Sequence, residues 1–248
     1  MAANWQRGVL MAMGVKNHPV EVVGITEITS WYRRIRLSAP GFLDELAVHP
    51  TLWIRLWVPA IGKDKVVQRG YTLVDADPES GQFSLDFVLH EPTGPAASWA
   101  KNATIGTTAE IAHTPQKLPL DPDLQTLVLA GDATALPAIV SLLRSAPAEA
   151  SKYVVIQDSH HDREAIDIPQ DARTTLSWAS GDPSGAGLVD ALKASVPLDG
   201  FDPERAYRWA AGERKLVKAV REHARGPLGL GRHRQHAQNY WIAGLSAG

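Results

Sequence analysis

The apolar pattern of this chain changes period once, near Lys117, and that change limits the folds open to it. Before it, apolar and polar residues alternate in short runs: Ile35 and Leu37 against Arg34 and Arg36, then Leu52, Ile54 and Leu56 against Arg55. A period of two is the mark of half-buried strands. Strands are expected at 20–28, 31–39, 51–58, 68–76, 81–90 and 107–113. Ala39-Pro40-Gly41, Pro59 to Lys65 and Asp77 to Gly81 supply turns between them. Short strands at this spacing predict a six-stranded antiparallel β-barrel. After Lys117, strands and helices alternate. Strands are expected at 126–130, 153–157, 173–178 and 207–210, and helices at 134–145, 186–194 and 213–225. That order predicts a parallel sheet covered by helices. The expected class is therefore β followed by α/β, with domains at 1–117 and 118–248 joined through Leu118-Pro119-Leu120-Asp121-Pro122-Asp123.

Composition narrows the chemistry. The 248 residues include no cysteine, which removes disulfides, thiolate nucleophiles, Cys-held zinc and Cys-held iron–sulfur clusters. If electrons move here, an organic cofactor or a His-ligated metal must carry them. A net charge of −2 argues against nucleic acid as a partner, since phosphate backbones need a concentrated basic surface. A single local basic pocket remains compatible with it. No apolar run approaches the roughly 18 residues of a membrane span. Gly8 to Val15 imitates a signal peptide but lacks a small-residue cleavage site and runs into Lys16, His18 and Pro19. A cytoplasmic monomer is expected.

Five stretches carry chemistry. Arg69-Gly70-Tyr71-Thr72 opens a strand on which Arg69 and Tyr71 share a face, combining a guanidinium, a flat phenol and a hydroxyl. Such a set suits a flavin, and equally an ordinary strand. Asp86 to His90 runs into Gly94-Pro95-Ala96-Ala97-Ser98-Trp99-Ala100, where a helix begins with small residues. Its first N–H groups lack internal partners and attract anions, or the helix simply closes the barrel. Ala130-Gly131-Asp132-Ala133-Thr134 follows the first strand of the α/β half, where such sheets place ligands. Asp132 and Thr134 also suit helix capping. Trp209 to Glu213 repeats the strand–Gly–helix pattern. Asn239 to Gly244 reads either as a last buried strand or as an aromatic cover. His160-His161-Asp162, and His233 with His236, fit solvated loops better than a metal site. The 226–231 glycines lack a strand before them, so no phosphate loop is read there.

In their order these stretches resemble the siderophore-interacting protein family, flavin-dependent ferric-siderophore reductases with a ferredoxin-reductase-like fold. The matching residues are R-G-Y-T at 69–72, D-F-V-L-H at 86–90, G-P-A-A-S-W-A at 94–100, A-G-D-A-T-A-L-P-A-I at 130–139, W-A-A-G-E at 209–213 and Y-W-I-A-G at 240–244. The resemblance implies FAD on the barrel and NADPH or NADH on the second domain, with ferredoxin as the alternative donor. Arg69, Tyr71 and Thr72 would contact FAD, and Val88 and His90 would line the flavin. Ala97, Ser98 and Trp99 would surround the pyrophosphate or adenosine. Gly131, Asp132 and Thr134 would face the nicotinamide nucleotide, and Trp241 would lie near the flavin. The chain departs from the family at Ala133, where Glu is usual, at Leu73-Val74-Asp75, where an Arg often follows Tyr-Thr, and at Ile242, where Arg is usual.

The substrate implied is an Fe(III)-siderophore, often anionic. Lys63, Lys65, Arg214, Lys215, Arg232 and Arg234 are the basic candidates for its pocket. Two other readings stay open: a general NAD(P)H–flavin or ferredoxin-type reductase with another acceptor, and a siderophore- or flavin-binding module without turnover.

Overall fold

A computed structural model of the chain describes residues 8, 12, 14–114, 120–182 and 184–244. The chain forms two compact units that divide between residues 118 and 119.

The first unit is an antiparallel sheet of β1 (Asn17–Glu27), β2 (Tyr32–Ser38), β3 (Trp53–Pro59), β4 (Val66–Thr72), β5 (Val74–Asp77), β6 (Gln82–Val88) and β7 (Thr108–Ala112). The spatial order is β4-β3-β7-β1-β2-β6-β5. Seven strands replace the six expected, because the run at 68–76 divides at Leu73. Up to Leu73 the chain pairs with β3, and the Leu73 N–H still reaches the Leu52 carbonyl at 2.8 Å. Beyond it, Val74 pairs with Ser84 of β6, and Asp75 turns with φ of 48°. β4 and β5 are the two edges of the sheet, so this one bent run joins them and curls the sheet into its barrel form.

The alternating residues fill the barrel. Ile35 faces Leu85, Leu37 faces Phe83 and Leu56 faces Ile111 across neighbouring strands, all fully buried. Each such side chain contributes about 1.5–3 kcal/mol by leaving water. Helix α1 (Pro95–Asn102) closes the barrel with Ala96 and Ala100, one turn apart and both in the core.

The second unit is a parallel sheet of β8 (Thr126–Asp132), β9 (Ser151–Gln157), β10 (Thr174–Ala179), β11 (Ala206–Glu213) and β12 (Gln235–Trp241), in the order β10-β9-β8-β11-β12. Helices α2 (Leu136–Ser145), α3 (Ala186–Ser195) and α4 (Arg214–Arg225) cover it. The chain builds outward from β8 on one side, then returns to place β11 on the other. The switch point is therefore between β8 and β11, and ligands of such sheets gather at the carboxyl ends there. Val128, Ala130, Val155 and Ala210 of the sheet pack with Leu216, Val217 and Val220 of α4.

Two expectations change in this unit. The last strand starts at Gln235 rather than near Asn239, and Asn239, Tyr240 and Trp241 are exposed, not buried. His236 accordingly sits in a strand, its ring stacked on Trp209 at 6.3 Å, instead of in a solvated loop. The alternation at 235–241 is weak because this edge strand is half-buried or exposed along its whole length and places no residue fully in the core.

Candidate functional site

Within the barrel unit the flavin candidates fall on three neighbouring segments. Tyr71 on β4 packs against Phe87 of β6 at 4.5 Å between ring centres, and Phe87 packs against Trp99 of α1 at 5.7 Å. Burial pushes the Tyr71 phenol well above its ordinary range, so it stays protonated and presents a neutral ring and hydroxyl. Arg69, two residues earlier on the same face, is partly buried, and desolvation lowers its pKa. Its Nη1 donates to the Gln68 carbonyl at 2.7 Å. Thr72 is buried. Val88 ends β6, and the exposed His90 follows it.

Helix α1 begins at Gly94, which has no side-chain cap, and Pro95 occupies its first turn. Ala96 and Ala97 are buried, Ser98 and Trp99 are half-buried, and the first turn carries no acidic residue. The His90 ring lies 3.7 Å from where a Gly94 side chain would begin. The donor set here is a guanidinium, an imidazole, a hydroxyl and open helix amides, without a carboxylate among them. It fits a group that joins a flat ring to a pyrophosphate.

Behind this face lies a network that the strand pattern did not reveal. Asp86 is buried on β6 and accepts from Arg34 at 2.7 and 2.9 Å and from the Tyr32 hydroxyl at 3.0 Å. Arg34 also donates to Asp75 at 3.0 Å. The guanidinium thus ties β5 to β2 and β6 just past the bend at Leu73. Burial, then the Asp86 charge, pushes the Tyr32 phenol far up. The only sequence signal was a carboxylate inside an otherwise apolar strand.

In the second unit, the carboxyl ends of β8 and β11 form a tight knot. Asp132 Oδ1 accepts from the Thr134 amide at 2.9 Å and from the Thr134 hydroxyl, while Oδ2 accepts from the Glu213 amide at 2.7 Å and from Trp241 Nε1 at 2.9 Å. Burial raises the Asp132 pKa against these donors. Both oxygens are already engaged by the protein, so Asp132 acts as a brace for the loop. Glu213 caps α4 by accepting from the Lys215 and Leu216 amides, and reaches the Ala243 amide at 3.1 Å. For Glu213 burial pulls the pKa up, and those backbone donors outweigh it to leave it lowered. Two glycines make the knot possible. A Cβ on Gly131 would stand 2.5 Å from the Ala211 carbonyl oxygen, and one on Gly212 would stand 2.5 Å from Asp132 Oδ2. Ala133, in the position that departs from the family, is buried in the turn that follows Asp132.

The basic candidates of the second unit do not gather in one place, and those of the first stand on a separate unit. Lys63 and Lys65 lie in the loop between β3 and β4, with Lys63 exposed. Arg214 and Lys215 are exposed at the start of α4, beside the knot. Arg232 and Arg234 lie in the turn before β12, at the opposite end of the sheet, and Arg234 is paired with Asp121 at 2.9 Å. Parallel strands explain this separation, since all their carboxyl ends share one edge. His160 holds Asp158 at 2.6 Å, and no cluster of metal-ligating side chains occurs among the described residues.

Residues 45–117 match the family model described as siderophore-interacting FAD-binding domain, and residues 124–244 match that of siderophore-interacting protein. The chain belongs to the siderophore-interacting protein family. Its fold agrees with that of the siderophore-interacting protein SipS from Aeromonas hydrophila, with a TM-score of 0.78, 27% identity and 93% of each chain covered. The mycobactin import ATP-binding/permease protein IrtA of Mycolicibacterium thermoresistibile is 32% identical over the whole of this chain but over 27% of its own length. The chain thus spans about a quarter of the first curated relatives it matches. The ferric acinetobactin reductase of Acinetobacter baumannii is 29% identical, with 86% of this chain and 74% of that protein covered. Within the family's order, the R-G-Y-T strand falls in the FAD-binding part and the Asp132 knot in the other. No helix among the described residues is long and apolar enough to cross a membrane.

Proposed function

We propose that this siderophore-interacting protein reduces Fe(III) held by a siderophore, using FAD and an NAD(P)H donor. The single observation that carries the reading is the partly buried Arg69 sharing a face of β4 with the half-buried, neutral Tyr71, whose ring packs through Phe87 onto Trp99 of the helix with the uncapped start, within the family's FAD-binding domain. Arg69, Tyr71, Thr72, Val88 and His90 would hold the ring side of FAD. Ala97, Ser98 and Trp99 would hold its pyrophosphate or adenosine side. FAD, when bound, accepts two electrons together and releases them singly. One NAD(P)H therefore suffices for two Fe(III) centres, each reduced by one electron.

Hard oxygen ligands hold Fe(III) far better than Fe(II), so reduction alone loosens the iron. The protein then needs no nucleophile and no acid–base pair. Its own residues bind, orient and keep water from the ring, with Phe87 and Trp99 packing behind Tyr71. In the second domain the Asp132–Thr134–Glu213 knot would shape the loop that meets the nucleotide, with Gly131 letting the ends of β8 and β11 pack closely. The exposed Arg214 and Lys215 beside the knot would attract an anionic ferric siderophore to the second unit, and Lys63 and Lys65 are the corresponding basic groups of the first. A cytoplasmic setting, where reduced nicotinamides are made, suits the reading.

Anaerobic mixing of the FAD-loaded protein with NADPH or NADH tests it. The expected result is loss of the oxidised flavin absorbance, then Fe(II) captured by a chelator after a ferric siderophore is added. Flavin that reduces but yields no Fe(II) from any ferric siderophore overturns the reading. Flavin that stays oxidised with either nucleotide but responds to reduced ferredoxin moves the donor and keeps the acceptor.

A further inference from the structure

At the amino edge of the second unit's sheet, far from the Asp132 knot, lies a cavity of roughly 150 Å3 lined by Arg221, Arg225, Arg232, Gln235 and Ala237. Arg221 and Arg225 come from the last two turns of α4, Arg232 from the turn before β12, and Gln235 from its first residue. The start and end of a 12-residue helix are about 16 Å apart, so these groups stand a helix length from Arg214 and Lys215.

Behind the cavity wall is Arg208, the third residue of β11, with no exposed surface at all. Its Nη2 donates to Gln235 Oε1 at 2.7 Å, and its Nε and Nη1 have no hydrogen-bond partner. The neighbouring phenol, Tyr207, is held neutral by burial, with its pKa raised to about 12. None of Arg208, Arg221, Arg225 and Arg232 forms an ion pair among the described residues. Glu222 on α4 is taken by Lys218, and Asp121 by Arg234. A buried guanidinium without a counter-charge is costly, and three more cations at its door raise that cost. Desolvation first, then Arg221 and Arg225, lowers the Arg208 pKa to about 10, in spite of Tyr207.

We propose that this cavity is a binding site for a compact phosphate polyanion, at the sheet edge opposite the Asp132 knot. Guanidinium groups meet phosphate oxygens in paired hydrogen bonds, and an arginine-only set favours that geometry over a lone point charge. A phosphate group would supply the missing counter-charge for Arg221, Arg225 and Arg232, and would offset the repulsion that Arg221 and Arg225 exert on Arg208, while Gln235, whose Nε2 donates to the Leu230 and Gly231 carbonyls, holds the wall between them. The same chemistry is offered by a free pyrophosphate and by a phospholipid headgroup.

Pyrophosphate is the probe, applied to the whole FAD-loaded chain by isothermal titration against sodium chloride of equal ionic strength. Saturable binding is expected, at least tenfold weaker in the Arg221→Gln, Arg225→Gln double variant with its flavin content unchanged. Both side chains are exposed, so that variant should fold. Absence of saturable binding, or equal binding in the variant, overturns the proposal. Arg208→Met should weaken binding and leave the melting temperature unchanged or higher. A lower melting temperature with binding intact makes Arg208 purely structural and overturns it too. Co-sedimentation with phosphatidylglycerol vesicles, against phosphatidylcholine, separates the sources. Retention that pyrophosphate releases and the double variant loses assigns a headgroup, and pyrophosphate binding without retention assigns a free phosphate.

Discussion

The indole of Trp241 donates to the carboxylate of Asp132 at 2.9 Å across 109 residues of sequence, from the exposed edge strand to the central one. That bond is one of two donors on Asp132 Oδ2, the other being the Glu213 amide. The two together tie the carboxyl ends of β8, β11 and β12 around the switch point.

Trp241→Phe keeps an aromatic ring and removes only the donor. Because Asp132 is buried and its pKa is already raised, its charged form loses support and the pKa should climb further. The expected cost is about 1–2 kcal/mol, read from urea unfolding at neutral pH. The sign follows from the raised pKa: the penalty is absent below the unfolded carboxylate pKa and grows as pH rises toward the folded one. A variant whose stability deficit is as large in acid as at pH 7 would refute this account.

Gly212→Ala should be far worse than Gly229→Ala. Gly212 has φ of 137° and a Cβ there would meet Asp132 Oδ2 at 2.5 Å, whereas Gly229 has φ of 62° and open space around it. Backbone strain alone gives about 1–2 kcal/mol at Gly229. The clash should add about 1–3 kcal/mol at Gly212. Parallel denaturation of the two variants checks the order.

Asp171 should titrate near 2. The Lys152 ammonium bonded to it at 2.8 Å is the main cause, with Thr174 and the Arg173 amide adding to it. A lowered folded pKa contributes stability above the unfolded value of 3.8 and loses it as pH falls toward about 2. Carboxyl chemical shifts should show the Asp171 pKa rising in Lys152→Met, and only part of the way, since Thr174 and Arg173 remain.

Arg69→Met tests the flavin reading without touching the barrel core. FAD affinity should fall at least tenfold, about 1.4 kcal/mol, with unchanged far-ultraviolet circular dichroism. Unaltered flavin content after dialysis would take Arg69 out of the cofactor site.

Much of the fold was legible along the chain. Ile35, Leu37, Leu56 and Leu85 alternate as barrel strands must, and the 126–130 run marks a strand buried on both faces. The division at Leu73 was not, since Leu73 and Val74 are both apolar, as in any buried strand, and only the change of partner strand reveals the bend. Of the site, the Arg69–Tyr71 face could be read from spacing, because residues two apart on a strand share a side. The Arg34–Asp86–Tyr32 network could not, for its members meet across strand register rather than along sequence.

By itself, then, the sequence determined local geometry and its order: strands where the period is two, helices where it is longer, glycines where a loop must pass close. It also determined what chemistry was absent, since no cysteine is present. Tertiary structure alone decided which polar groups lost water and which found partners. Asp132 could be read as a helix cap or as a nucleotide contact, and only the fold shows both its oxygens engaged by donors from three segments. Arg208, inside the strand expected at 207–210, is buried with two nitrogens unpartnered, which nothing in its sequence position announces. The reason is physical. Periodicity is a property of the backbone and acts over a few residues, whereas desolvation and hydrogen bonding depend on every segment that packs around a group, however distant in the chain.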